Sequence, residues 1–306
     1  MNALPQDLPF DPTSLSGLSE WLLRSHHQNN YGGAVKRLNA IRAQLRSLTP
    51  GALPGFELNG LKREELIAAN SMLLHELYFD SLAAPGQEMV PAMALALTGS
   101  FGRVERWREE FVAMGKALGG GSGWVLLTFQ PREGTLVNQW GADHTHSLAG
   151  GVPILALDMY EHAYHLDHGA AAGAYVDAFM ANIAWDKVYE RYQQAVHASS
   201  EHLAADLDRV DLAQSVVLDV RRAGVFQQAQ TMLPDARWCD PASVQDWAGE
   251  LPRDRDVVVY CIYGHEVGRS TAMKLRAAGV RAHYLPGGID AWTKAGRSVR
   301  LKEPQA

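Results

Sequence analysis

Two long helical patterns occupy the first 82 residues of this chain before any strand pattern appears. In residues 16–47, apolar side chains recur at steps of three and four, which is the spacing of one buried helix face. The pair Gly32–Gly33 interrupts the pattern, so we expect a bend there. A second pattern runs from Leu61 to Leu82 and stops at the sequence AAPG. Together the two segments predict a helical hairpin with antiparallel arms.

From Gly99 onwards the chain alternates between strand and helix patterns. The first group is predicted to hold helices at 104–118 and 173–192 and buried strands at 123–129 and 153–158. A charged, Ser/Ala-rich stretch follows. Beyond it, strands are predicted at 215–220 and 256–260 and a helix at 271–278, a pattern that favours a small parallel sheet.

The sequence therefore predicts a multidomain protein. A helical hairpin at 1–88 and an α/β unit at 89–195 form its first part, a linker spans 196–211, and a small α/β domain with a parallel sheet spans 212–306. The 306 residues and their 47% hydrophobic content are sufficient for two folded cores.

Charge and hydropathy exclude several classes of function. The 28 basic and 34 acidic residues give a net charge of -6 without a Lys/Arg stripe, so a nucleic-acid partner is not predicted. No apolar run reaches the ~18 residues needed to span a bilayer, and the start lacks the pattern of a secretory signal. Two cysteines, Cys239 and Cys261, cannot form a disulfide framework. We expect a cytoplasmic protein with no membrane partner.

Four residues are candidate metal ligands. Asp158 and His162 lie four apart where a buried strand gives way to a predicted helix, which would place both side chains on one helix face. A carboxylate with imidazoles suits iron, manganese or zinc. His26 and His75 lie among apolar residues on the two predicted helices and face each other if the hairpin closes.

The order and spacing of several motifs resemble those of iron/manganese superoxide dismutases. They are LPF near the start, Leu38–Asn39 twelve positions after His26, HELYFDSL around His75, GSGW at 121–124 and DMYEHAY at 158–164. The resemblance implies a helical hairpin and an α/β domain with the metal between them, held by His26, His75, Asp158 and His162.

This resemblance also implies a cofactor and an activity. One iron or manganese ion per subunit, with no organic cofactor, would convert superoxide to dioxygen and hydrogen peroxide. Zinc has no redox states and cannot do this. Family members form dimers in which the residue equivalent to Glu161 reaches a ligand histidine of the other subunit, so a homodimer is expected. The interface tyrosine of the family is His165 here.

The sequence departs from the family at residues near the metal. The gateway tyrosine falls on Ala34 and a neighbouring histidine on Asn30, although a local shift of the helix register would let Tyr31 substitute. The glutamine that contacts metal-bound solvent in one branch falls on Ser71. In another branch that role belongs to a residue before the ligand strand, where this chain has His144 or, alternatively, His146.

Aromatic positions around the expected metal are also altered. Tyr160 and Phe79 stand where the family has tryptophan, whereas Trp124 is retained and is expected to wall the pocket. These departures leave a second interpretation open. In it, the chain is a metal-binding scaffold or sensor with weak or no dismutase activity, whose main function is sulfur transfer or protein interaction.

Cys261 is the candidate nucleophile of the last ninety residues. It follows the apolar strand VVVY and precedes a loop that leads into a helix, a position where backbone N–H groups favour the thiolate. Cys239 has no matching motif and is expected to be structural.

Residues 207–300 resemble a rhodanese-like domain through VVLDVRR, the cysteine loop and YLPGGIDAW. In that family the cysteine carries a persulfide between a sulfane-sulfur donor and a thiol acceptor, neither of which is identified by this sequence. Asp219 and Arg221 would fix the loop, and His265 is near the thiol. The loop itself is longer than usual and comprises Tyr263, Gly264, His265, Glu266, Val267, Gly268 and Arg269.

Overall fold

The computed structural model describes residues 2–49, 51, 53–206 and 212–302. The N-terminal elements are helical: α1 (Glu20–Ser25), a π-helix (His26–Tyr31), α2 (Gly32–Ser47) and α3 (Gly55–Asp80). Helices α2 and α3 pack against each other through Leu38, Ile41 and Ala68. The pairing of two long helices agrees with the predicted hairpin.

The first helix differs from the prediction in two respects. It begins at Glu20 rather than residue 16, because the Ser19 side chain accepts a hydrogen bond from the Leu22 N–H and caps it. The predicted bend at Gly32–Gly33 is wrong, since Gly32 has ordinary right-handed helical angles. The irregularity is the π-helix just before it, which adds a residue to the helical turn.

The following unit combines helices with an antiparallel sheet. Its elements are α4 (Pro91–Phe101), α5 (Val104–Ala117), β1 (Trp124–Gln130), β2 (Thr135–Gly141), β3 (Val152–Asp158), α6 (His165–His168), α7 (Ala172–Ala181) and α8 (Trp185–Ser200). The strand order is β2-β1-β3, and β1 is antiparallel to both neighbours. Helix α5 and strands β1 and β3 match the predicted positions closely.

The single helix predicted at 173–192 is wrong. Its chain leaves the helix at Asn182, whose carbonyl accepts a hydrogen bond from the Ala83 N–H, while the Ala184 N–H donates to the Ser81 carbonyl. These bonds to the end of the hairpin replace helical ones and separate α7 from α8. Helix α4 and strand β2 were not predicted at all.

A second sheet forms the C-terminal part. Its elements are β4 (Val216–Asp219), α9 (Ala223–Gln228), β5 (Thr231–Met232), β6 (Arg237–Trp238), α10 (Val244–Trp247), β7 (Asp256–Tyr260), α11 (Glu266–Ala277), β8 (Arg281–Tyr284), α12 (Gly288–Lys294) and β9 (Arg300–Leu301). The order β6-β4-β7-β8 is parallel throughout, which confirms the predicted parallel sheet. Strands β5 and β9 form a separate antiparallel pair.

The two parts of the molecule pack directly against each other. Helix α8 of the first part contacts α11 of the second, and buried residues from both belong to one hydrophobic cluster. Residues 196–200 of the predicted linker lie in α8, and residues 207–211 lie outside the described residues. Across the contact, the Lys274 ammonium donates to the Gly99 carbonyl at 3.3 Å.

In the described part of the chain, no helix has the length and apolarity to cross a bilayer.

Candidate metal centre and thiol pocket

Four side chains from four different segments converge at one buried point. His26 is in the π-helix, His75 in α3, Asp158 at the end of β3 and His162 in the short 3-10 helix Glu161–Ala163. One ligand atom from each lies within 4.8 Å of the other three. The sequence-predicted ligand set is therefore brought together in space, with His26, His75 and Asp158 buried.

Asp158 is the centre of this cluster. Its Oδ2 atom lies 3.1 Å from His26 Nε2, 3.4 Å from His75 Nε2 and 3.2 Å from His162 Nε2. The predicted helical face shared by Asp158 and His162 is wrong, because the strand runs to Asp158 and a tight turn carries His162 back towards it. The Tyr160 N–H donates to Asp158 Oδ1 at 2.9 Å and holds that turn.

The orientation of His75 shows that the cluster is suited to a cation. Its Nδ1 lies 2.6 Å from the Ser71 carbonyl oxygen, which can only accept, so Nδ1 carries the proton. Burial lowers the pKa of His75 to about 3, and the ring is neutral near pH 7. Its Nε2 lone pair then faces the Asp158 carboxylate and His162 Nε2, 3.4 Å from each. Facing lone pairs repel unless a metal ion lies between them.

Burial and neighbouring groups set the charge of the cluster. Burial lowers the pKa of His26, which favours a neutral ring at pH 7. Burial alone would raise the pKa of Asp158, but His162 and His26 outweigh it and hold that pKa well below its usual range. His26 Nδ1 is buried without a hydrogen-bond partner among the described residues. Three imidazoles and one carboxylate fit a divalent or trivalent redox metal.

A stack of rings covers one side of the cluster. Tyr160 lies parallel to both His144 and His162, with ring centroids 4.8 and 5.3 Å away. The Trp124 indole N–H donates to His144 Nδ1 at 3.0 Å, so a neutral His144 carries its proton on Nε2. Trp124 meets His75 edge-on at 5.4 Å, which is the predicted wall of the pocket.

Among the two alternatives before the ligand strand, His144 lies at the cluster and His146 does not. The His144 ring is 6.1 Å from that of His75. His146 is exposed, accepts from the Ala142 N–H and lies against Trp140. Ser71 contacts His75 through its carbonyl and hydroxyl, so it orients a ligand ring.

The π-helix ends at Tyr31, the residue considered as an alternative to the gateway tyrosine. Its extra residue rotates the following chain, so Tyr31 faces inwards and is 1% exposed. The Tyr31 hydroxyl accepts from the Gln6 N–H at 2.6 Å and donates to Glu76 Oε1 at 2.9 Å. Ala34 is also buried, whereas Asn30 is half-buried.

A cavity of about 380 Å³ lies beside Tyr31, and sequence reasoning missed most of its lining. His27, Phe79 and Glu76 contribute to it, and the Phe79 ring is 5.0 Å from His26. The position of His27 directly after the proposed ligand His26 could have indicated its place in this lining. Glu76 follows a ligand directly in sequence, but its contact with Tyr31 depends on the register set by the π-helix.

Glu161 and His165 lie on the surface beside the cluster. Both side chains are exposed and flank His162 within one turn of chain. Their position is compatible with the contact between subunits that the sequence predicted.

Cys261 is buried at the end of β7, 6% exposed. Backbone N–H groups of Gly268, Gly264 and His265 act to lower the pKa of its thiol. Burial outweighs these N–H groups and raises the pKa of the Cys261 thiol, contrary to the favoured thiolate expected from the sequence. A side chain at Gly268 would approach the sulfur at 3.4 Å, so helix α11 passes close to it.

The predicted long loop after Cys261 is wrong. Helix α11 begins at Glu266, so Val267, Gly268 and Arg269 form its first turn. The Arg269 guanidinium donates to the Gly264 carbonyl and to Glu201 and stacks 4.2 Å above the Tyr284 ring. Because these contacts direct Arg269 to the end of α8, its guanidinium ties the two parts together.

Two further residues of the predicted loop lie at its exposed rim. Tyr263 is 54% exposed, and the His265 imidazole lies 5.6 Å from the Tyr263 ring and 6.0 Å from that of His197. His265 lines the cavity at the thiol, and its backbone N–H acts to lower the pKa of Cys261.

Asp219 and Arg221 support the cysteine from the neighbouring strand. They form a buried ion pair, and the Tyr260 hydroxyl donates to Asp219 Oδ2 at 2.8 Å. Since Tyr260 precedes Cys261, this bond fixes the start of the loop. Arg221 also lines the cavity at the thiol. Cys239 is buried, and burial raises the pKa of its thiol.

The fold and these two sites define a protein with a histidine–aspartate metal centre in its first part and a parallel-sheet cysteine domain in its second. Comparisons with known families assign both parts. Residues 89–191 match the model of the C-terminal domain of iron/manganese superoxide dismutases, and residues 199–295 match that of the rhodanese-like domain.

Three relatives extend this match. The chain is 64% identical over 189 residues to a "Superoxide dismutase [Fe]" of Cupriavidus metallidurans, covering 62% of this chain and 95% of that protein. It is 35% identical to "Superoxide dismutase [Mn] 1" of Halobacterium salinarum, with 61% and 94% covered. It is 33% identical to "Superoxide dismutase [Fe]" of Aquifex aeolicus, with 61% and 90% covered. The chain belongs to the iron/manganese superoxide dismutase family and carries a C-terminal rhodanese-like domain.

Proposed function

We propose that this protein is a superoxide dismutase with one iron or manganese ion per subunit, held by His26, His75, Asp158 and His162. The observation that carries the proposal is the convergence of three imidazole Nε2 atoms on Asp158 Oδ2. The relatives named as iron and manganese dismutases support the choice of metals. The substrate is superoxide, and the products are dioxygen and hydrogen peroxide.

The bound metal would supply one-electron exchange by cycling between two oxidation states. The chain determines the conditions for that exchange. Asp158 gives the centre one negative charge, while Trp124 and Phe79 keep bulk water from the ligand rings. Burial raises the pKa of Tyr31 to about 12, so its hydroxyl stays protonated at neutral pH. Peroxide formation consumes two protons, and we propose that the Tyr31–Glu76 pair, which lines the cavity beside Phe79, supplies them.

His144 is proposed to position solvent at the metal. Its Nδ1 accepts from Trp124, so a neutral His144 has its donor N–H at Nε2, and its ring stacks on Tyr160, which stacks in turn on His162. We expect His144→Ala to retain its metal but to lose about 10–100-fold of superoxide scavenging, the scale found for residues that support metal ligands. His146→Ala, in the same loop but outside the cluster, is the matched control.

Elemental analysis of these variants with a superoxide-scavenging assay tests the dismutase proposal. The wild type is expected to contain one iron or manganese ion per chain and to scavenge superoxide. Full metal content with negligible scavenging by the wild type would instead favour the metal-binding scaffold or sensor. Equal scavenging by His144→Ala and His146→Ala would contradict the role of His144.

We also propose that the dismutase part forms a homodimer through the surface that carries Glu161 and His165. Both residues are exposed next to the ligand His162. Glu161→Arg reverses a charge and is expected to shift the mass measured by light scattering from dimer towards monomer. Glu190→Arg, an exposed position on α8, is the control. A wild type that is monomeric at micromolar concentration would refute the proposal.

For the second part we propose sulfur transfer through a persulfide on Cys261. The support is the buried sulfur at the end of β7, next to the N-terminus of α11, where a side chain at Gly268 would lie 3.4 Å from the sulfur. The donor would be a sulfane-sulfur compound such as thiosulfate. The assay is formation of thiocyanate from thiosulfate and cyanide.

A further inference from the structure

The cavity at Cys261 is bounded by both parts of the molecule. It measures about 180 Å³ and is lined on the rhodanese-like side by the cysteine loop, Arg222 and Val225. On the other side, Ala92 of α4 and Tyr189 of α8 close it. The dismutase part thus supplies a wall of the thiol pocket.

Hydrogen bonds across the contact hold this wall in place. The Tyr189 hydroxyl donates to Glu266 Oε1 at 2.8 Å, and the Gln193 amide donates to Glu266 Oε2 at 3.1 Å. Gln193 also contacts the Tyr189 hydroxyl at 3.0 Å. Glu266 is only 5% exposed, and a buried carboxylate that loses its donors is costly. The Tyr189 ring is therefore fixed at the pocket by a satisfied polar network.

The size of the cavity limits what can reach the sulfur. Pockets that take drug-sized ligands measure about 300–1,000 Å³, and this one is smaller. Arg222 places a positive charge in the lining, which suits a small anion. A cysteine presented by a folded protein would need an open approach to Cys261, and the Tyr189 wall occupies one side of that approach.

We propose that the Tyr189 wall makes the sulfurtransferase selective for small-molecule acceptors and excludes the thiols of folded proteins. The proposal rests on the persulfide function proposed for Cys261. In the first step, Cys261 loses its proton to solvent and its thiolate attacks the outer sulfur of thiosulfate. The sulfur–sulfur bond of the donor breaks, and sulfite leaves with the electron pair.

In the second step, the acceptor attacks the terminal sulfur of the persulfide. The bond to Cys261 breaks, and the Cys261 thiolate leaves with the electron pair. Cyanide becomes thiocyanate in this step. A dithiol takes the sulfur as its own persulfide and then releases sulfide as its second thiol closes a disulfide.

The experiment compares two dithiol acceptors on the full-length, metal-loaded protein with thiosulfate as donor. Dithiothreitol is small, reduced thioredoxin is a folded protein, and both release sulfide. The wild type is expected to use dithiothreitol in strong preference. Tyr189→Ala is expected to raise the thioredoxin-to-dithiothreitol rate ratio by at least about tenfold, a scale typical of pocket contacts that discriminate substrates. Tyr189→Phe keeps the ring but loses the hydroxyl bond to Glu266, so it is expected to raise the ratio less than Tyr189→Ala does.

A second variant keeps the test independent of the stability of Tyr189→Ala. Ala92→Phe adds volume to the same wall and is expected to lower transfer to dithiothreitol by about tenfold or more while metal content is retained. The proposal would be overturned if the wild type used thioredoxin as readily as dithiothreitol. It would also be overturned if folded Tyr189→Ala had the same thioredoxin-to-dithiothreitol rate ratio as the wild type. Unchanged transfer in Ala92→Phe would also overturn it. If no acceptor, cyanide included, receives sulfur from the wild type, the persulfide function fails as well.

Discussion

Replacement of His75 by alanine is expected to abolish both metal retention and superoxide scavenging. The substitution removes one of four ligand atoms and leaves Asp158, His26 and His162 around a buried gap. Changes that only support a ligand cost about 10–100-fold, so loss of a ligand itself is expected to cost more than about a hundredfold. Metal content by elemental analysis and scavenging by the same preparation measure the two effects.

Two controls separate loss of the ligand from loss of the fold. His75→Gln keeps a polar side chain near the Ser71 carbonyl and limits the cavity left in α3. His146→Ala changes an exposed histidine outside the cluster and is expected to retain both metal and activity. Thermal unfolding followed by circular dichroism reports whether each variant is folded. A folded His75→Ala protein with full metal content would remove His75 from the ligand set.

The four proposed ligands could be found from the sequence because each lies in a short motif at a characteristic spacing. Asp158 and His162 share one motif, while His26 and His75 lie in the two helical patterns that form the hairpin. Their convergence was implied by family resemblance, since no local pattern states which distant segments meet. The helical geometry inferred for Asp158 and His162 was wrong although the pairing was right. A strand end followed by a tight turn brings the two atoms together equally well.

The surroundings of the site depend on features that a local pattern does not carry. The π-helix that ends at Tyr31 has the sequence HHQNNY, which contains no apolar pattern that would reveal it, so the sequence indicated only a register shift without its cause. The hydrogen bond that supports Asp158 could not be predicted from the sequence either. The Tyr175 hydroxyl donates to the Asp158 carbonyl at 2.7 Å from α7, seventeen residues later. Such a contact is determined by how helix and sheet pack.

The lining of the thiol pocket also includes contacts that local sequence patterns do not predict. Cys261, Asp219 and Arg221 were identified because they lie at strand ends in recognisable motifs. Tyr189 belongs to a helix of the other part and reaches the pocket only because α8 packs against α11. A predicted linker between the domains gave no reason to expect this contact. The packing of the two parts against each other could therefore be known only from the structure.

Replacement of Cys261 by serine is expected to abolish thiocyanate formation from thiosulfate and cyanide. Serine keeps the size of the side chain, but its hydroxyl is not an effective nucleophile towards sulfane sulfur and cannot carry a persulfide. Mass spectrometry of the wild type after thiosulfate treatment is expected to show one added sulfur on Cys261. Metal content is expected to be unchanged, because Cys261 lies in the rhodanese-like part, apart from the four ligands.

Cys239 provides the matched control for this experiment. It is the second thiol of the same part, is buried beside β6 and is absent from the lining of the thiol pocket as described. Cys239→Ala is expected to retain transfer, so that a loss confined to Cys261→Ser identifies the sulfur carrier. If Cys261→Ser transfers sulfur as fast as the wild type, the nucleophile assignment is refuted. The N–H groups around Cys261 would then have a structural role in closing the loop onto α11.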